Sequence, residues 1–109
     1  MAKLKFIPIE TLLEIQENQE DVMIVDVLSE DAYKQGHIPG AMNIPTDQIE
    51  QRAQDVLDKS KPVVTYCASY ACPASTNAAR KLLEMGYTDV LDYKAGKQGW
   101  TSAGLELAQ

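Results

Sequence analysis

Cysteine occurs twice and histidine once in these 109 residues, and positive charge is in short supply: ten Lys and Arg stand against sixteen Asp and Glu, a net charge of −6. Two cysteines cannot build a disulfide scaffold, and one histidine with no cysteine at metal-ligand spacing does not make a zinc site, so neither metal nor cofactor is expected. The acidic balance works against phosphate backbones and anionic lipid, which argues against nucleic acid as a partner. Apolar runs such as residues 23–25 and 63–64 fall far short of the roughly 20 residues of a membrane helix, so no membrane partner is expected either. The start Met1-Ala2-Lys3-Leu4-Lys5 leads into no apolar h-region or small-residue cleavage site, which points to the cytoplasm.

What is present is ordinary globular composition, with 45% hydrophobic and 24% charged residues. The length suits one domain spanning residues 1–109. Short Val- and Ile-rich runs alternate with segments of helical period, the pattern of a mostly parallel sheet whose strands are joined by crossover helices. Ile9, Leu12, Leu13 and Gln16 share a helical face, and residues 23–27 read as a buried strand. Ser29 is placed to cap a short helix that Gly36 ends, and Pro39-Gly40 makes a turn. Residues 41–44 form a candidate strand. A helix starting at Pro45-Thr46-Asp47 is expected to bury Ile49, Ala53, Val56 and Leu57. The run at 63–66 is the most strand-like segment, and helical period returns from about Ala74 to a cap at Gly86. Residues 90–93 read as the last strand, Gly96 and Gly99 as a loop before Trp100, and the tail through Leu107 as a final helix.

The chemistry is expected where the strand at 63–66 ends. Open α/β sheets bind ligands at the carboxyl ends of their strands, and Cys67 stands there, followed by a loop and a helix beginning near Pro73. The loop Cys67-Ala68-Ser69-Tyr70-Ala71-Cys72 would turn backbone N–H groups inward beside the positive end of that helix. Such a nest stabilises an anion, either a thiolate or a persulfide on Cys67, and it would depress the Cys67 thiol pKa.

Several stretches carry a family resemblance. Ile24-Val25-Asp26-Val27, Glu30-Asp31-Ala32-Tyr33, Gly36-His37-Ile38-Pro39-Gly40-Ala41 and Asn43-Ile44-Pro45 resemble the first half of a single-domain rhodanese. Val63-Val64-Thr65-Tyr66-Cys67, then Ser75, Ala78, Ala79, Leu82, Leu83, Gly86, Tyr87, Val90, Gly96 and Trp100, follow in the family's order, so the resemblance runs from about Ile9 to Leu105. It implies a three-layer α/β fold with a five-stranded, mostly parallel sheet flanked by helices. It also implies a sulfurtransferase in which Cys67 takes a sulfane sulfur from thiosulfate, polysulfide or a persulfidated protein and passes it to a thiol or cyanide. By that match the backbone of Ala68, Ser69, Tyr70, Ala71 and Cys72 forms the cradle of the persulfide.

The departures are informative too. Many thiosulfate-using members carry arginine directly after the cysteine and at the loop's end, where this chain has Ala68 and Cys72, so weak use of the thiosulfate dianion is expected. Leu28 stands where the family often has arginine, which leaves open how Asp26 is hydrogen-bonded. The loop is too short, and lacks the closing arginine, for the related phosphatase and arsenate-reductase patterns. Two other readings stay open: a non-catalytic rhodanese-fold module that binds a protein, and a thiol-disulfide domain in which Cys72 resolves a Cys67 persulfide.

Among the remaining candidates, His37 in its glycine- and proline-rich turn reads as structural rather than as a general base. Tyr70 lines the pocket mouth or is a plain exposed aromatic, Trp100 packs in the core or at its rim, and Arg80 and Lys81 lie on a solvated helix face. Lys94 and Lys97, after the last strand, are the cations best placed to lend charge to the site.

Overall fold

A computed structural model describes residues 4–18 and 21–109. Five strands, β1 (Leu4–Phe6), β2 (Met23–Asp26), β3 (Met42–Asn43), β4 (Val63–Tyr66) and β5 (Val90–Asp92), form one sheet in the order β1-β5-β4-β2-β3, and every pairing is parallel. Parallel neighbours need crossovers, which are supplied by helices α1 (Ile9–Glu17), α2 (Glu30–Gln35), α3 (Ile49–Val56) and α4 (Ala74–Glu84), with α5 (Gly96–Ser102) after the last strand. Among the described residues no helix is long and apolar enough to cross a membrane.

Strand alternation divides the core into two layers. Val63 faces one side with Val25, Val27, Ala78, Ala79 and Leu82, under α3 and α4. Val64 and Tyr66 face the other with Ile24, Leu12, Ile15 and Trp100, under α1 and α5. The two-residue period carries Cys67 back to the α4 side, where it is fully buried in the first cluster. β4 is the middle strand and is buried along its whole length, which explains its run of β-branched and aromatic residues.

Local signals act as expected in several elements. The Ser29 hydroxyl accepts from the Ala32 amide to cap α2, and α4 closes at Gly86, whose φ of 101° suits the left-handed region. Three expectations are corrected. Val56, placed on the inner face of α3, is 43% exposed because the helix stops there and Leu57 turns into the core in extended conformation. Gly96 and Gly99 lie inside α5 rather than in a loop. Gly99 is there for want of space, since a Cβ would sit 2.5 Å from that of Ala95 and 2.9 Å from the Tyr93 hydroxyl. The tail is not helical: past α5 it runs back, the Trp100 indole donating to the Glu106 carbonyl at 3.0 Å and Ala108 pairing antiparallel with His37.

Candidate active site

Cys67 follows β4 directly, and the loop from it to Pro73 folds over the start of α4. Its backbone is held from behind by the first turn of α5: the Lys97 amide donates to the Cys67 carbonyl at 3.0 Å and the Gln98 amide to that of Ala68 at 2.9 Å. This close approach requires Gly96, at φ 63°, because a Cβ there would collide with the Cys67 carbonyl oxygen. The other wall is fixed to the sheet, with the Thr65 hydroxyl donating to the Ser75 carbonyl at 3.0 Å and the Thr76 hydroxyl to the Asp92 carboxylate at 2.6 Å.

Within this frame both thiols meet. The Cys67 sulfur donates to the Cys72 carbonyl at 3.3 Å, closing the loop on itself. The Ser75 amide and hydroxyl, in the first turn of α4, favour the Cys67 thiolate. That hydroxyl is fully buried and has no hydrogen-bond partner. The amides of Ala68 and Ala74 favour the Cys72 thiolate instead. The Lys94 ammonium donates to the Cys72 carbonyl at 2.7 Å and adds its charge to the thiol pair.

The electrostatics correct one expectation. Burial pushes the Cys67 thiol up, and its hydrogen bond to Cys72 holds the proton on it further; the Ser75 donors offset this only in part. For Cys72, burial also opposes ionisation. It is outweighed by the Cys67 hydrogen bond, the Ala74 and Ala68 amides and the Lys94 charge, which bring that thiol down. The loop field therefore acts on the half-buried Cys72, not on Cys67.

The five residues expected to cradle a persulfide are placed differently from one another. Ala68 contributes an amide to a sulfur, but the Cys72 amide is spent on the Ser69 carbonyl at 3.1 Å, while Ala68, Tyr70 and Ala71 are exposed. Ala74 and Ser75, which the sequence reading did not single out as donors, supply the other amides. The signal for them lay in Pro73, since the residues just after a helix start carry free N–H groups. Tyr70, 70% exposed, lines an apolar groove of about 460 Å³ with Phe6, Ile7, Pro8 and Lys94.

Other candidates fall outside the site. His37 stacks on the Tyr33 ring, with its Nδ1 3.0 Å from the Tyr33 carbonyl oxygen, a structural engagement. Lys81 pairs with Glu84 on the surface, and Arg80 is exposed. Lys97 does not serve the sulfurs: its ammonium donates to the Ala32 carbonyl at 2.8 Å and lies 4.0 Å from buried Asp26. Asp26, whose partners Leu28 left open, accepts from the Leu28 amide at 2.9 Å and from the Tyr66 hydroxyl at 2.8 Å.

Comparison with known proteins agrees with this architecture. Residues 9–103 match the rhodanese-like domain family. A protein from Allochromatium vinosum named sulfurtransferase is 34% identical over 98 residues, 90% of this chain and 89% of that one. The thiosulfate sulfurtransferase GlpE of Coxiella burnetii is 30% identical over 82 residues, 75% of this chain and 74% of that one. The crystal structure of a Bacillus halodurans protein superposes with a TM-score of 0.87 at 32% identity, covering 95% of this chain and 76% of that chain. With the family matched over most of its length and a cysteine at the tip of the middle strand of a parallel sheet, the chain belongs to the rhodanese-like domain family.

Proposed function

We propose that this protein is a sulfurtransferase of one domain that carries sulfane sulfur as a persulfide on Cys67. The observation that supports it best is buried Cys67 at the end of the middle strand beside the first turn of α4, where the buried Ser75 hydroxyl has no hydrogen-bond partner and favours the Cys67 thiolate. A buried donor left free costs stability, so its presence beside a nucleophile favours a role in holding negative charge. Relatives named sulfurtransferase at about 30% identity support the same reading.

In the reaction the Cys67 thiolate attacks the sulfane sulfur of the donor, forming a sulfur–sulfur bond and expelling sulfite from thiosulfate or a shortened chain from polysulfide. An acceptor thiolate or cyanide then takes the outer sulfur and returns Cys67 as thiolate, the two half-reactions of ping-pong catalysis. Among the described residues Lys94 is the one whose ammonium bonds the loop, which favours polysulfide or a persulfidated protein over the thiosulfate dianion. Partner proteins and small donors of this kind, and thiols kept reduced, fit a cytoplasmic setting.

Intact-mass measurement after incubation with thiosulfate and, separately, polysulfide tests the proposal, with release to cyanide as the second half. The expected result is one sulfur gained by Cys72→Ser, which cannot close a Cys67–Cys72 disulfide, lost again to cyanide, and not gained at position 67 by Cys67→Ser. If neither donor loads Cys72→Ser protein whose Cys67 still reacts with an alkylating probe, transfer from these donors is wrong and the binding-module reading takes over.

A further inference from the structure

The second thiol of the loop occupies a place that the persulfide chemistry alone does not explain. Cys67 lies fully buried at the end of β4, and Cys72, five residues on, is half-buried above it. The Cys67 thiol donates to the Cys72 carbonyl at 3.3 Å, so the two cysteines are in direct contact. Lys94 grips the same carbonyl and so fixes where Cys72 sits. The Ala68 and Ala74 amides and the Lys94 charge favour Cys72 as a thiolate. The buried Ser75 hydroxyl, which has no hydrogen-bond partner, favours Cys67 as the anion that leaves when a disulfide is reduced.

We propose that Cys72 is a resolving thiol: its sulfur attacks the Cys67 sulfur of the persulfide, closing a Cys67–Cys72 disulfide and expelling the outer sulfur as hydrosulfide. This rests on the Cys67 persulfide of the preceding section. The step balances without an added oxidant. The Cys67–Cys72 bond forms, the bond to the outer sulfur breaks, and the Cys72 proton leaves with that sulfur. The two cysteine sulfurs are oxidised by the two electrons that reduce sulfane sulfur to sulfide. An external dithiol then reduces the disulfide, and the Cys67 sulfur departs as a thiolate towards the Ser75 donors. The site would thereby act as a reductase of sulfane sulfur as well as a carrier of it.

The test uses inorganic polysulfide under anaerobic conditions, with excess donor removed and no reductant present. Wild type should release one hydrosulfide per chain and end lighter by two hydrogens, and dithiothreitol should restore the starting mass. Cys72→Ser should instead retain one added sulfur at Cys67 and release it only when dithiothreitol is supplied. Wild type that keeps its added sulfur, or releases hydrosulfide no faster than Cys72→Ser, overturns the proposal while leaving the persulfide intact. Sulfur gained at Cys72 by Cys67→Ser as fast as Cys72→Ser gains it at Cys67 overturns it too, because the roles of the thiols are then reversed. If wild type and Cys72→Ser alike gain no sulfur although Cys67 is alkylated, the persulfide reading itself fails and this one falls with it.

Discussion

Tyr66 and Cys67 are consecutive in the chain and lie on opposite faces of the sheet, and the polar sites built on them differ in how completely they are satisfied. In the Tyr66–Asp26 network each side-chain oxygen has its partner, although the buried Tyr93 hydroxyl in the same layer has none. The Tyr66 hydroxyl accepts from the Ile38 amide at 2.9 Å and donates to Asp26, whose other oxygen takes the Leu28 amide, with Lys97 nearby. Burial and the adjacent Asp26 charge hold that hydroxyl firmly protonated. On the Cys67 side a buried hydroxyl is left over and a nucleophile is surrounded by donors. A saturated network fixes geometry, whereas a spare donor near a nucleophile has a use when charge arrives there, which separates the two polar sites.

The largest effect should come from breaking the saturated side. Asp26→Ala leaves the Tyr66 hydroxyl and the Leu28 amide without an acceptor and takes away the charge facing Lys97. A loss of about 3 kcal/mol in urea unfolding is expected. Sulfur uptake by the fraction still folded should be unchanged, since the Asp26 carboxylate bonds Tyr66, in the other core layer from Cys67. Uptake that falls in proportion to nothing but the substitution would mean that the two sides are coupled.

Gly96→Ala should strike both sides at once. The new Cβ meets the Cys67 carbonyl, and alanine is strained at a φ of 63°, so about 2 kcal/mol of stability is expected to be lost. Because the residue displaced is the backbone of the nucleophile, the rate of persulfide formation should drop as well. A variant that unfolds more easily yet loads at the wild-type rate would show that the loop tolerates movement of its anchor.

Ala68→Arg sharpens the comparison from the reactive side, since Ala68 is exposed and a guanidinium can be accommodated there. One well-formed charge-assisted bond is worth about 1.5–3 kcal/mol, so the thiosulfate concentration needed for half-maximal loading should fall about tenfold. The gain should shrink at high salt, and loading by polysulfide should change less. Equal gains with both donors would mean that charge at this position acts on the thiol rather than on the dianion.

Much of the fold is legible in the sequence because it follows from local rules. The Val-rich run before Cys67, Ser29 at a helix start and Gly86 at a helix end all act through their own backbone or their strand period. What is not legible arises from distant pairings. Gly96 and Gly99 look like loop residues, and only the Cys67 carbonyl and Tyr93 ring pressing on them explain why glycine sits inside a helix. Lys97 looks available to the sulfurs until Asp26, 71 positions earlier, is seen beside it. Cys67 looks like the activated thiol because a helix start follows it. Its burial depends on the packing of β4 under α4, so the raised pKa appears only in three dimensions.

That raised pKa gives the smallest effect and the most direct reading of the spare hydroxyl. Ser75→Ala removes a buried group that bonds nothing in the resting thiol, so stability should change by less than about 1 kcal/mol or improve. The Cys67 thiolate, however, loses one of the donors that favour it. Its ionisation, already above the ordinary thiol range, should move further up, and alkylation of Cys67 at neutral pH should slow by about three- to tenfold, with the rate still rising towards alkaline pH. Cys72, whose thiol is held low by its own amides and Lys94, should react first in both proteins and keep its pH midpoint. Alkylation rates followed residue by residue across pH check this. An unchanged Cys67 profile together with a clear loss of stability would make Ser75 a packing residue, and the contrast between the two sides of the sheet would lose its meaning.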